Sequence, residues 1–309
     1  MAGKAKGAGI RAWLVDRALR ALIGLALVLP YDRRVAFAGW AMSRLVAPLA
    51  GYRARVRANL ALVVPDLPEA EVRRLERQVP DNAGRALIEI YSGPDFKARV
   101  GKGPILGPGA AALQAAHETR RPVLLVTGHF GNYDAPRAAL INLGYRVGGL
   151  YNPMRNRYFN AHYVHAISSI GTPVFPRGRK GLGEMIRFLR GGGMLGIVID
   201  QHMQHGAALS FFGKTAFTAL SAAELALKYD ALVVPIYGIR RPDGLHFDIV
   251  AEAPIPHSDP VTMTQALNDS LERKVRAHMD QWLWIHRRWK PGRRKTGAKR
   301  KAAPTPQAD

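Results

Sequence analysis

From Pro122 onward, short and almost wholly apolar runs alternate with longer stretches of helical period. This pattern predicts strands at 122–127, 146–150, 173–176 and 194–199, separated by helices at 132–142, 156–170 and 180–190. Runs with no polar face belong to strands covered on both sides, so a mostly parallel sheet flanked by helices is expected, an α/β domain. A helix at 218–229 then leads to strands at 231–241 and 246–254. Pro242-Asp243-Gly244 between them is hairpin chemistry, which makes one end of the sheet antiparallel. A long helix over about 260–286 closes the domain. Upstream, helices are expected at 53–62, 68–79 and 81–91. The glycines between Gly101 and Gly109 follow no strand and lack the spacing of a dinucleotide fingerprint.

The first 50 residues have a different texture. Ala21 to Leu29 is apolar but shorter than the ~20 residues of a spanning helix, and Trp13, Trp40, Arg11, Arg17, Arg20, Arg33 and Arg34 flank it. An amphipathic or partly inserted helix at headgroup level fits these flanks; a signal peptide and an ordinary core helix are the other readings. Three regions follow: residues 1–50 as a membrane-associating helical region, 51–290 as the α/β domain, and 291–309 as a disordered basic tail.

Composition narrows the chemistry. The chain has 309 residues and no cysteine, which excludes disulfides, thiolate nucleophiles and cysteine-ligated metals. A formal charge of +22 attracts anions, and nine Lys or Arg without an acid between Arg287 and Lys301 concentrate part of it at the end. That end reads either as a solvated tail or as a polybasic anchor to an anionic leaflet. No nucleic-acid module is recognisable, so a nucleic-acid partner is not expected.

The candidate chemistry lies in Gly128-His129-Phe130-Gly131-Asn132-Tyr133-Asp134, directly after the first strand. An imidazole can take a proton from a hydroxyl while a carboxylate fixes its tautomer. The glycines admit backbone amides to a reacting carbonyl, and a helix beginning near Asn132 adds its positive end. The plainer reading is a surface histidine beside an aspartate that caps a helix. Ligands in such sheets gather beyond the carboxyl ends of strands, and His129, Arg177 and Asp200 each follow a strand, so all three are expected at one rim. Arg177 is either a bidentate phosphate ligand or a solvated member of the Arg177, Arg179, Lys180 cluster. Asp200, His202 and His205 form only a weak metal pattern, because no fourth ligand stands out. No metal and no cofactor is expected.

Taken in order, the His129-to-Asp134 motif, Gly171 to Arg177, Gly196 to Gln201 and the strand Leu232 to Ile236 with its Pro235 resemble the glycerolipid and lysophospholipid acyltransferase superfamily. Asp200-Gln201, Phe211-Phe212-Gly213 followed by Thr218, and Gln281-Trp282-Leu283-Trp284-Ile285-His286-Arg287-Arg288-Trp289-Lys290 are similar to the lipid A biosynthesis lauroyl/myristoyl acyltransferases. The chain departs from that pattern at Asp134, where many members have Glu, and at Ser168 and Ser169, where an Arg is often found. The resemblance implies a fatty acyl transfer, with acyl carrier protein as donor, to a hydroxyl of an anionic lipid A precursor; acylation of another glycolipid or aminolipid, or a non-enzymatic basic protein that binds membranes or nucleic acid, are the alternatives. It further implies work at the cytoplasmic face of the bacterial inner membrane. His129 and Asp134 would be the catalytic pair; Asn132, Arg177, Asp200, Gln201, Phe211, Phe212 and Gly213 would bind substrate. Asp200 and Gln201 would meet a sugar headgroup or cap a loop, and the two phenylalanines would line an acyl channel or simply be core.

Overall fold

The computed structural model describes residues 9–290. A helical layer comes first: α1 (Ile10–Leu27), α2 (Tyr31–Ala41), a π-helical turn at Met42–Val46, the short α3 (Ala47–Leu49), α4 (Tyr52–Val63), α5 (Glu69–Tyr91), α6 (Gly93–Val100) and α7 (Ala110–Glu118). Strands and helices then alternate as β1 (Val123–Thr127), α8 (Ala135–Asn142), β2 (Val147–Tyr151), α9 (Arg157–Ile170), β3 (Val174–Pro176), α10 (Arg179–Arg190) and β4 (Met194–Val198). A separate hairpin of β5 (Ala207–Phe211) and β6 (Lys214–Thr218) precedes α11 (Ser221–Tyr229), β7 (Leu232–Arg240), β8 (Phe247–Ala251) and α12 (Pro260–Ala277).

Six strands form one sheet in the order β3-β2-β4-β1-β7-β8. All neighbours are parallel except β7 and β8, which pair antiparallel at the edge. This is the single α/β domain with a mostly parallel sheet that the hydrophobic pattern predicts. The strand period of two sorts β1 between two cores. Val123 and Leu125 pack with Phe96, Ala138 and Leu140, while Leu124 and Val126 pack with Met185, Leu189 and Ala223. Each such buried side chain contributes roughly 1.5–3 kcal/mol, so the central strand is the best-anchored part of the chain.

Three local expectations are corrected. Residues 69–91 form one helix, α5, which continues through Pro80. The missing N–H there removes one helical hydrogen bond, and burial of Val72, Leu75, Val79 and Ile88 outweighs it. The hairpin β5–β6 occupies residues that carry no clear strand period, and the following helix begins at Ser221, not 218. The helix expected to reach 286 stops at Ala277. His278 leaves helical geometry, a 3-10 turn follows at Met279–Gln281, and Trp282 and Trp284 then turn inward, both fully buried. A straight helix would leave one of these indoles in water; the irregular strap packs them edge-to-face on Phe211 and Phe212 and stacks Trp284 on Trp289.

The N-terminal helix docks on the start of α9. Asn156 Nδ2 donates to the Ala12 carbonyl at 2.8 Å, and Arg20 Nη2 donates to that of Tyr158 at 2.8 Å. Ile10, Trp13, Leu14, Leu22, Leu25 and Val28 remain exposed on this layer, as do Phe37, Trp40, Leu45 and Leu49. No helix among the described residues is long and apolar enough to cross a membrane. The expected basic tail at 291–309 lies outside the described residues.

Candidate active site

β1 and β4 are parallel neighbours, with Thr127 beside Val198, so the residues just past their carboxyl ends emerge side by side. His129 leaves β1 and Asp200 leaves β4. His129 Nδ1 lies 2.7 Å from Asp200 Oδ1, and the His129 backbone N–H donates to Asp200 Oδ2 at 2.7 Å. Trp282 Nε1 donates to the same oxygen at 2.8 Å. A carboxylate with no exposed surface is thereby held by a ring nitrogen, a main-chain amide and an indole.

Electrostatics follow from this arrangement. Burial alone would raise the Asp200 pKa, but the His129 charge and hydrogen bonds outweigh it and hold the carboxyl below its ordinary value. Burial likewise pulls His129 down, and Asp200 overcomes that pull, so the imidazole sits above its ordinary value. The pair therefore favours an Nδ1–H tautomer whose other nitrogen, Nε2, is free for a substrate proton. The His286 ring stands 4.8 Å from that of His129, edge to face. Burial, and secondly the His129 charge, lower His286 to about 4, so it stays neutral where His129 titrates.

Two cavities meet at His129, whose side chain is 18 % exposed. One, about 160 Å³, is almost wholly apolar and runs along α5 past Val79, Ala83, Ala86, Leu87 and Ile90, with Trp282 and Leu283 opposite. The other, about 260 Å³, is more polar and is lined by Tyr151, Asn152, Tyr163, Arg177 and Gln201. A base placed between an apolar groove and a cationic pocket can bring a hydroxyl on a charged molecule to a carbonyl on an apolar one.

Residues 8–291 match the bacterial lipid A biosynthesis acyltransferase family. The chain belongs to this family. It is 24 % identical over 281 residues to the lipid A biosynthesis lauroyltransferase of Escherichia coli (strain K12), covering 87 % of this chain and 89 % of that protein.

Within this acyltransferase, the structure redistributes the residues singled out in the sequence. Asp134 Oδ1 accepts from Arg137 Nε at 2.8 Å, one helical turn on, and the orienting contact expected of it is made by Asp200. The reason is local. α8 begins at Ala135 with Pro136 in its first turn, and the short aspartate is captured by the i+3 arginine before it can reach back to the ring. Asn132 is corrected from a substrate ligand to a buried internal contact, since its Nδ2 donates to Glu89 Oε2 at 2.7 Å and its Oδ1 accepts from the Asp134 N–H at 2.9 Å. Arg177 and Gln201 line the polar cavity with His129.

Phe211 and Phe212 are buried in the aromatic cluster and line neither cavity, so the core reading holds for both. Gly213 is an exposed turn residue at φ +67°, following Phe212 at φ +53°; these left-handed residues close the β5–β6 hairpin, and Gly213 touches neither cavity. Among the described residues no group of three or more His, Cys, Asp or Glu side chains is placed to hold a metal, Asp200, His202 and His205 included.

Sequence reasoning missed Trp282 as a donor to Asp200 and Arg288 as the clamp on the end of β6. Arg288 is fully buried and donates to the Phe217 carbonyl at 2.8 Å and to Thr218 Oγ1 at 2.6 Å. The available signal is the density of Trp and Arg in Gln281 to Lys290, a segment that carries the family resemblance but to which no contact is assigned from sequence.

Proposed function

We propose that the protein transfers a fatty acyl chain from a thioester, carried on an acidic acyl carrier protein, to a hydroxyl of a phosphorylated lipid A precursor. His129 Nε2 takes the hydroxyl proton while the oxygen attacks the thioester carbonyl, and Asp200 stabilises the imidazolium through Nδ1–H. As the tetrahedral adduct collapses, the C–O bond stays, the C–S bond breaks, and the proton passes from the imidazolium to the departing sulfur. No covalent enzyme intermediate and no metal is called upon. The apolar groove along α5 suits the acyl chain, and Arg177 suits a phosphate, which it can grip bidentately.

The observation that carries this reading is the His129–Asp200 pair at the junction of those two cavities. An acidic donor is supported by the rim around the polar cavity. Residues 135–183 contain no Asp or Glu, while Arg155, Arg157, Arg177, Arg179 and Lys180 are exposed there. Work at the cytoplasmic face of the inner membrane is supported by the exposed apolar residues of α1, which adjoins this rim through the Asn156 and Arg20 contacts, and by those of α2. The test is incubation of the purified chain with acyl carrier protein thioesters and a lipid A precursor, read by mass spectrometry. A new ester on the lipid is the expected product; free fatty acid alone, or an acylated lipid of another class alone, would overturn the assignment.

A further inference from the structure

Behind the His129 turn lies an ion pair that neither cavity touches. Glu89 on α5 is fully buried, and Arg240 at the end of β7 reaches it through two parallel bonds, Nη1 to Oε1 at 2.6 Å and Nη2 to Oε2 at 2.7 Å. Two charges taken this far out of water are weak stabilisers, because desolvation offsets most of their attraction. A packed apolar pair would serve the core equally well. The contacts made by the pair indicate a different use.

Glu89 Oε2 also accepts from Asn132 Nδ2, and Arg240 Nε donates to Asn82 Oδ1 at 2.7 Å. Asn82 Nδ2 in turn donates to the Gly131 carbonyl at 3.1 Å. On the other side, the Arg240 backbone exchanges hydrogen bonds of 2.8 Å with the Gln281 side chain, and the Gln281 carbonyl accepts from the Gly131 N–H at 2.8 Å. Every one of these links ends on Gly131 or Asn132, the residues two and three beyond His129. Gly131 itself sits at φ +54°, and a Cβ there would lie 1.9 Å from the Gly238 carbonyl, so the turn has no slack toward β7.

We propose that Glu89 and Arg240 are positioning residues for His129: acting through Asn132, Asn82 and Gln281, the buried pair locks the turn that aims the imidazole between the two cavities. The inference rests on His129 being the base of the proposed transfer. Misplacement of a reacting group by about 1 Å is worth on the order of 10²-fold in rate.

The test is the double variant E89L/R240M beside each single variant in the full-length protein. Each single substitution leaves a buried charge unpaired and should lower Tm sharply, while the double variant should recover Tm. The proposal predicts that the double variant keeps its donor KM and still loses about 100-fold in kcat. Recovery of both Tm and kcat would show a purely structural pair and overturn it. R240K covers the case in which the double variant does not fold: it keeps a cation but loses the Nε contact to Asn82 and the two parallel bonds. It should lower kcat at unchanged KM, and wild-type kcat in R240K contradicts the proposal. A substrate-free readout separates this idea from the assigned reaction. The His129 ring proton facing Asp200 should give one sharp NMR signal in wild type and a broadened one in R240K, even if wild type fails to acylate a lipid A precursor. An unchanged signal in R240K sinks the positioning role.

Discussion

The turn after β1 and the strap after α12 both bring side chains to Asp200, yet they reach it by opposite routes. The turn is short and anchored to the central strand of the sheet, so His129 arrives where a parallel neighbour already delivers Asp200. The strap has no regular structure after Gln281 and is held by distant partners: Phe130 pairs with Trp282, and Asn59 on α4 clamps the Trp284 carbonyl at 2.6 Å and the His286 carbonyl at 2.9 Å. The proposed chemistry therefore sits on the stiffer element, and the strap tunes it from behind. Losses should be largest at the turn and shrink toward the periphery.

H129A should reduce turnover by roughly 10²- to 10⁴-fold and lower Tm as well, since the buried Asp200 carboxylate keeps its main-chain and indole donors but loses the imidazole. Steady-state kinetics beside a melting curve checks it; turnover near wild type would remove the base from the account. W282F should have the next largest effect. It deletes a hydrogen bond to a charged carboxylate, a contribution of about 1.5–3 kcal/mol, and should lower both Tm and turnover, the latter by about tenfold. R177A should raise KM for a phosphorylated acceptor by about tenfold while leaving kcat near wild type, and R177K should not restore it, because the planar fork is what matches a phosphate. A monophosphorylated or dephosphorylated acceptor should blunt that difference. G213A should cost about 1 kcal/mol of stability from its left-handed backbone and nothing in kinetics, which separates a hairpin turn from a substrate contact.

The strands of the main sheet are legible because their two-sided apolar runs are a local signal, and the β7–β8 hairpin is legible from Pro242, Asp243 and Gly244; β5 and β6 are not. Nor is the carboxylate that meets His129. Asp134 stands five residues away in sequence and Asp200 seventy-one, and only the adjacency of β1 and β4 makes the second the nearer one. Asn132 misled for the same reason: its position in the motif is visible, while Glu89 beneath it belongs to another helix. Phe211 and Phe212 show the reverse case: the family motif allows a substrate contact or plain core, and only the packing around Trp282 and Trp284 decides for the core. The strap departs from the expected helix because helical period continues past Ala277, and nothing local reveals that Trp282 and Trp284 must both be buried, with Trp289 packed against them.

The pairing of His129 with Asp200 is tested most directly by the pH dependence of kcat/KM in wild type, D200N and D134N. A base works when unprotonated, so activity rises with pH through the His129 pKa, which the Asp200 charge holds above its ordinary value. D200N removes that charge and should move the acidic limb to lower pH while cutting the plateau on the order of 100-fold or more; D134N should leave the limb in place. A limb that shifts in D134N and stays fixed in D200N would contradict the account.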